Sequence, residues 1–153
     1  MSGKAIREMV GLLALVASLV FVGIEIRQNS QSVQAATYQD LIAQITNLNV
    51  LEIENPEFGD LLRVALEPSP ESLDETQVAK MTPYLWLLFR HGDLAFSQYE
   101  RGLLDDVRLR SVMMPLSVRL SIPWIQERWA VRHRVAFVPS YQNFVDSIIV
   151  ASQ

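Results

Sequence analysis

His91 and His133 are the only imidazoles in the chain, so the residues around them decide which proton or metal chemistry is open. His91 stands in Arg90-His91-Gly92-Asp93, with Tyr99 about two helical turns further on. A histidine beside a carboxylate, with an arginine and a phenol near, has the residue types for proton transfer in a cleft. Arg90, His91 and Asp93 are expected to lie close together on the central helix, away from its Leu88 and Phe96 side, and the structural alternative is an ion pair there. Neither histidine lies in an H-E-x-x-H or E-x-x-H frame, so the helical zinc and di-iron arrangements have no ligands here. There are no cysteines, which removes thiolate metal sites, disulfides and cysteine nucleophiles. No nucleophile elbow and no glycine-rich phosphate loop is present. The expectation is therefore no metal, no cofactor and no enzymatic activity.

A second cluster is Trp124, Arg128, Trp129, Arg132 and Arg134. On a regular helix Trp129 and Arg132, three apart, can stack as a cation–π pair contributing about 0.5–2 kcal/mol. The structural role is to fasten this helix to the core. The functional role is a belt at lipid headgroup level, or a contact patch for a partner, since tryptophan and arginine are enriched in both.

The charges are segregated. Acids dominate from Glu52 to Asp106, whereas from Val107 to Val138 Arg108, Arg110, Arg119, Arg128, Arg132 and Arg134 face Glu127 alone. An acidic helical layer beside a basic one accounts for this, and an arginine face for anionic lipid or an acidic partner is the sharper alternative. The formal charge of −4 argues against a nucleic-acid binder, which needs a dominant basic surface.

These residues must be positioned by helices. No segment shows sustained period-two alternation with hairpin turns, and the expected fold is all-α: an N-terminal transmembrane helix continuing into a bundle of about five further helices. With 153 residues the chain is long enough to bury a core. Met9 to Ile24 carries no charge, and Ile26 extends the run to roughly 27 Å of helix, enough for a thin hydrocarbon layer. Leucines, valines and Phe21 point in every direction round this helix, which suits lipid or complete burial. A cleaved export signal is the competing reading, with Lys4 and Arg7 as its basic start and Val33-Gln34-Ala35 as a cleavage site. The run exceeds the usual ~7–15 residues of a signal, and the site lies far beyond it. Residues 1–27 are accordingly expected to be an anchor and 28–153 the helical domain. Lys4 and Arg7 favour a cytoplasmic N-terminus and an outward-facing domain. Gly11, Ala14 and Ser18 share one side of the span, a weak cue for helix pairing.

Beyond the span, Val33, Thr37, Leu41, Ile45 and Leu48 form a stripe that must pack on something. Asn55-Pro56 reads as a cap and first turn, with a helix to about Leu66 and a loop at Glu67-Pro68-Ser69-Pro70. Ser72 and Glu75 read as a capping box opening a helix to Arg101, ended by Gly102. Leu85, Leu88, Gly92, Ala95, Phe96, Tyr99 and Leu103 make it the central helix. Pro83 predicts a kink or restart, and Pro115 a bend or break in the helix capped by Asp105 or Asp106. Pro123 opens a helix to about Val135. Pro139 opens the last, with Tyr141, Phe144, Val145 and Ile148 on one side.

Three stretches together resemble a family of small bacterial proteins of unknown function with one N-terminal hydrophobic helix. The first is Ser18-Leu19-Val20-Phe21-Val22-Gly23-Ile24-Glu25-Ile26-Arg27-Gln28-Asn29, similar to an S-L-x-F-V-G-x-Q-[IL]-R-Q-N pattern. The second runs from Arg90-His91-Gly92-Asp93 through Gln98-Tyr99 to Gly102-Leu103-Leu104-Asp105. The third comprises Pro123, Trp129, Arg132, Phe137, Tyr141 and Phe144-Val145-Asp146. Where the family tends to have Glu-Asn, this chain has Gly92-Asp93, and Ala130 replaces a second aromatic. The resemblance implies a membrane-anchored helical protein and no activity.

The expected function is thus an accessory or interaction module on the bacterial inner membrane, touching lipid through residues 9–26 and meeting a protein partner or a second copy of itself. Alternatives are a ligand sensor or enzyme with a pocket around Arg90, His91, Asp93 and Tyr99, and a subunit of a larger membrane complex using Trp124 and Trp129.

Overall fold

A computed structural model describes residues 3–67 and 73–152. Every regular element among them is helical: α1 (Gly3–Glu54), α2 (Pro56–Ala65), α3 (Glu75–Glu100), α4 (Asp106–Arg119), α5 (Pro123–Arg128) and α6 (Pro139–Ala151), with a π turn (Trp129–His133) and a 3-10 turn (Arg134–Ala136) after α5. The all-α expectation holds, down to five helices beyond the first. The chain divides into two units, residues 1–36 and 37–153.

The first unit is helix α1 up to Ala36. Its large apolar side chains at Met9, Val10, Leu12, Leu13, Leu15, Val16, Leu19, Val20, Phe21, Val22, Ile24 and Ile26 are 44% to 64% exposed. No direction of the helix is sheltered, as the unstriped sequence requires. It is the one helix among the described residues long and apolar enough to cross a membrane.

In the second unit the stripe on α1 buries Leu41 and Ile45, with Leu48 packed at the core's edge. Val33, at the head of that stripe, remains exposed, so packing begins near Thr37 and not at residue 28. Helix α2 starts as expected: the Asn55 side chain accepts from the Phe58 amide at 3.1 Å, with Pro56 in the first turn. The helix α3 cap differs in register. Asp74, not Ser72, is the cap: its Oδ1 accepts from the Gln77 amide at 2.8 Å, and Gln77 Oε1 accepts from the Asp74 amide at 2.9 Å. Ser72 and the Pro68–Pro70 loop lie outside the described residues.

Pro83 does not restart α3, nor does Pro115 break α4; both helices run through. Each proline removes one backbone bond, but Leu85, Leu88, Leu109, Val112, Met113 and Leu116 are all buried on these helices, and that packing holds them together. At the end of α3, Gly102 takes φ +74°. Its amide bonds the Tyr99 carbonyl and the Leu103 amide bonds the Gln98 carbonyl, both at 2.9 Å; only glycine enters this left-handed turn without strain. Asp105 caps α4 by accepting from the Arg108 amide at 2.8 Å.

The centre of the core is aromatic. Phe89, Trp129, Phe137 and Tyr141 form a cluster with centroid separations of 4.8 Å (Phe89–Trp129), 5.5 Å (Trp129–Phe137) and 5.3 Å (Phe137–Tyr141). The Tyr141 hydroxyl donates to the Phe89 carbonyl at 2.9 Å, joining α6 to α3. Glu52, at the end of α1, accepts from the Tyr84 hydroxyl at 2.9 Å and from Arg119 at 3.4 Å, tying α1, α3 and α4.

Candidate functional site

The Arg90-His91-Asp93 group is divided by the turn of α3. His91 is buried, with Nδ1 facing Gln44 Oε1 at 3.4 Å and Nε2 meeting no hydrogen-bond partner. Burial holds its imidazole below the ordinary histidine range. Arg90 and Asp93 form a loose pair at 3.7 Å on the outer side. The Arg90 guanidinium also lies 4.7 Å from the Phe137 ring centre, roofing the aromatic cluster. Burial raises the Asp93 carboxyl, with Arg90 opposing and Glu100 adding to the shift. His91 and Asp93 thus face different partners, Gln44 and Arg90.

Tyr99 stands apart from those three. It lines a cleft of about 500 Å³ together with Phe96, Asp106, Leu109, Arg110, Met113, Met114, Ser117, Phe144 and Ile148. Arg90, His91 and Asp93 do not line this cleft. The Asp106 carboxylate beside the Tyr99 hydroxyl raises the phenol above its ordinary range, with Arg110 opposing. Phe96 and Phe144 stack at 4.5 Å across its apolar wall.

The tryptophans are fastened inward. Trp124 donates its indole N–H to the Ala65 carbonyl at 2.7 Å, satisfying the last turn of α2. Trp129 is 1% exposed and donates to Asp146 Oδ1 at 2.9 Å. Arg134 completes the arrangement, reaching Asp146 Oδ2 at 2.9 Å and 3.1 Å. Burial alone would raise Asp146, but the bonds from Arg134 and Trp129 outweigh it and hold the carboxyl low. The expected Trp129–Arg132 stack is not formed, because Trp129 is buried and Arg132 is exposed. The π turn is the cause: its wider winding carries the third residue away from the first, whereas an α-helix keeps them adjacent.

His133, in the same turn, is wholly buried beside Trp86 (4.5 Å between ring centres) and Phe89 (5.1 Å), and neither ring nitrogen has a hydrogen-bond partner. Burial, with Arg132 and Arg128 adding, keeps it below the usual histidine range. It is a neutral member of the aromatic core. Among the described residues no group of three or more His, Asp or Glu side chains is placed to hold a metal ion.

Most of the cleft carries no recognisable motif in the sequence. Leu109, Met113 and Ser117 recur four apart, and that spacing was the available signal; the break expected at Pro115 hid it. Asp146 carried no local signal, since its partners stand 12 and 17 positions away. No protein-family model, no curated protein and no solved structure matches the chain.

Proposed function

We propose that the chain is a single-pass membrane protein of a bacterial inner membrane whose helical domain, on the outer side, is a non-enzymatic interaction module. The observation that carries this is the uncharged run from Met9 to Ile24, apolar in every direction and exposed along its length. In water such a surface greatly exceeds the apolar patch a soluble monomer leaves open, whereas in hydrocarbon it is at home. Lys4 and Arg7 ahead of the run, against Arg27 alone close behind it, favour the cytoplasmic N-terminus. The bacterial setting rests on the resemblance of residues 18–29 to the anchor end of that family. An interaction role is supported by Val131, Val135 and Val138, which stand in solvent within one short stretch of chain that also exposes Arg132.

Fractionation and labelling test this together. The full-length chain should remain in the membrane pellet after alkaline carbonate washing. Of single cysteines placed by Ser2→Cys and Ser152→Cys, only the second should react with an impermeant maleimide on intact cells. Full-length protein in the soluble fraction overturns the anchor; labelling of both ends from outside overturns the single span.

A further inference from the structure

We propose that the cleft between α4 and α6 binds a single-chain apolar molecule ending in an uncharged hydroxyl group. Helices α3, α4 and α6 converge at Gly92. A Cβ there would collide with the Tyr141 hydroxyl from α6 and would meet Leu116 Cδ2 at 2.9 Å and Met113 Cε at 3.2 Å from α4. Nearer the Gly102 turn this close approach gives way to the cleft, floored by Phe96 and Tyr99 of α3 and walled by Met113, Met114, Phe144 and Ile148. Its volume, about 500 Å³, falls within the range of small-molecule sites, roughly 300–1,000 Å³. The stacked Phe96 and Phe144 rings and the flexible methionines make a surface that shapes itself to an alkyl chain.

The polar groups decide the other end of the ligand. Asp106 and Arg110, one turn apart on α4, stand beside the Tyr99 hydroxyl. Their charges cancel, so neither an anionic nor a cationic head gains a net field. A hydroxyl both donates and accepts: it can give its proton to Asp106 while accepting from Arg110. Independence from the membrane reading follows, because the cleft is built wholly from residues 96–148.

The test uses the full chain in lipid nanodiscs, photolabelled with a decanol that carries a diazirine in its chain. Label should appear in peptides covering residues 109–117 and 144–148. Unlabelled decanol should displace it, while decyl sulfate and decyltrimethylammonium at equal mole fraction should compete about tenfold less well, a factor that separates a real preference from scatter. Ser117→Trp, or Met114→Trp should the first fail to fold, fills the cleft and should abolish this label while leaving that on residues 9–26 unchanged. Absence of label from both cleft peptides, equal competition by either charged congener, or label that survives both folded variants overturns the proposal.

Discussion

At position 92 the absence of a single carbon atom sets the spacing of three helices. Glycine inside a helix costs about 1 kcal/mol relative to alanine, so its presence in the middle of α3 needs a cause, and the close approach of Tyr141, Leu116 and Met113 supplies it. Gly92→Ala gains that helix propensity but forces Tyr141 away from the Phe89 carbonyl and crowds α4. Overpacking costs about 1–3 kcal/mol and the lost hydrogen bond about 1 kcal/mol, so a net loss of about 1–3 kcal/mol is expected from denaturant unfolding. In a Tyr141→Phe background the same substitution should cost less, because the obstructing oxygen has gone. Equal costs in the two backgrounds would show that the hydroxyl is not what excludes a side chain there. The two buried histidines give a second residue-scale expectation. Both are held below the free imidazole value, so at mildly acid pH the unfolded chain binds protons that the folded chain refuses. The stability associated with them is therefore complete above about pH 6.5, the free-imidazole value, and is lost as pH falls through the lowered folded values. His133→Phe removes one such group and two unpartnered nitrogens. It should stabilise the protein by about 1 kcal/mol at neutral pH and flatten the acid side of a stability–pH curve. An unchanged acid slope would refute the role given to His133.

Helix ends and helix interiors differed in how far local sequence predicts them. The starts at Asn55-Pro56, Asp105, Pro123 and Pro139, and the stop at Gly102, were legible because capping is decided by a few adjacent residues. The register of the α3 cap is ambiguous in the sequence because Ser72 and Asp74 both suit a cap, and Glu75 and Gln77 both suit its third position. The outcome is Asp74 with Gln77, which makes the difference measurable. Asp74→Ala should lower stability by about 1 kcal/mol, with a smaller loss for Gln77→Ala and almost none for Glu75→Ala; the reverse order would restore the other register. The interiors depart from local expectation where tertiary packing overrides local preference. Pro83 and Pro115 each remove a backbone bond, yet both helices continue because buried leucines and methionines on either side outweigh one lost bond. The π turn at Trp129–His133 was invisible for the same reason. Its winding follows from where Trp129 and His133 must sit among Trp86, Phe89 and Phe137, and two of those neighbours, Trp86 and Phe89, are about 40 or more positions away in the chain. Arg132 consequently stays out of the stack that regular helical spacing predicts.

Along α1 the two halves differ in how their apolar side chains are arranged. Up to Ile26 apolar side chains point everywhere and, among the described residues, none is buried; from Thr37 one face, with Leu41 and Ile45 at its centre, is buried, while Val50, Leu51 and Ile53 stay exposed. The change from unstriped to striped was readable from spacing alone, since a helix exposes its full circumference to lipid but one face to a protein core. What spacing could not show is where packing starts, because Val33 continues the stripe by period and yet stays exposed. The first buried residues of the core are Leu41 and Ile45, and the second unit begins at Thr37. Truncation series convert that boundary into an expectation. Removing residues 1–36 should release the domain from membranes and leave its unfolding midpoint close to that of the full chain. Removing residues 1–48 also deletes Leu41 and Ile45, each contributing about 1.5–3 kcal/mol when fully buried. It also opens the side of His91 that faces Gln44. Against a typical total of about 5–15 kcal/mol, that loss should leave the longer truncation unfolded or close to it. If the shorter truncation proved equally unstable, residues before Thr37 would belong to the fold, and the anchor and the domain would be one structural unit.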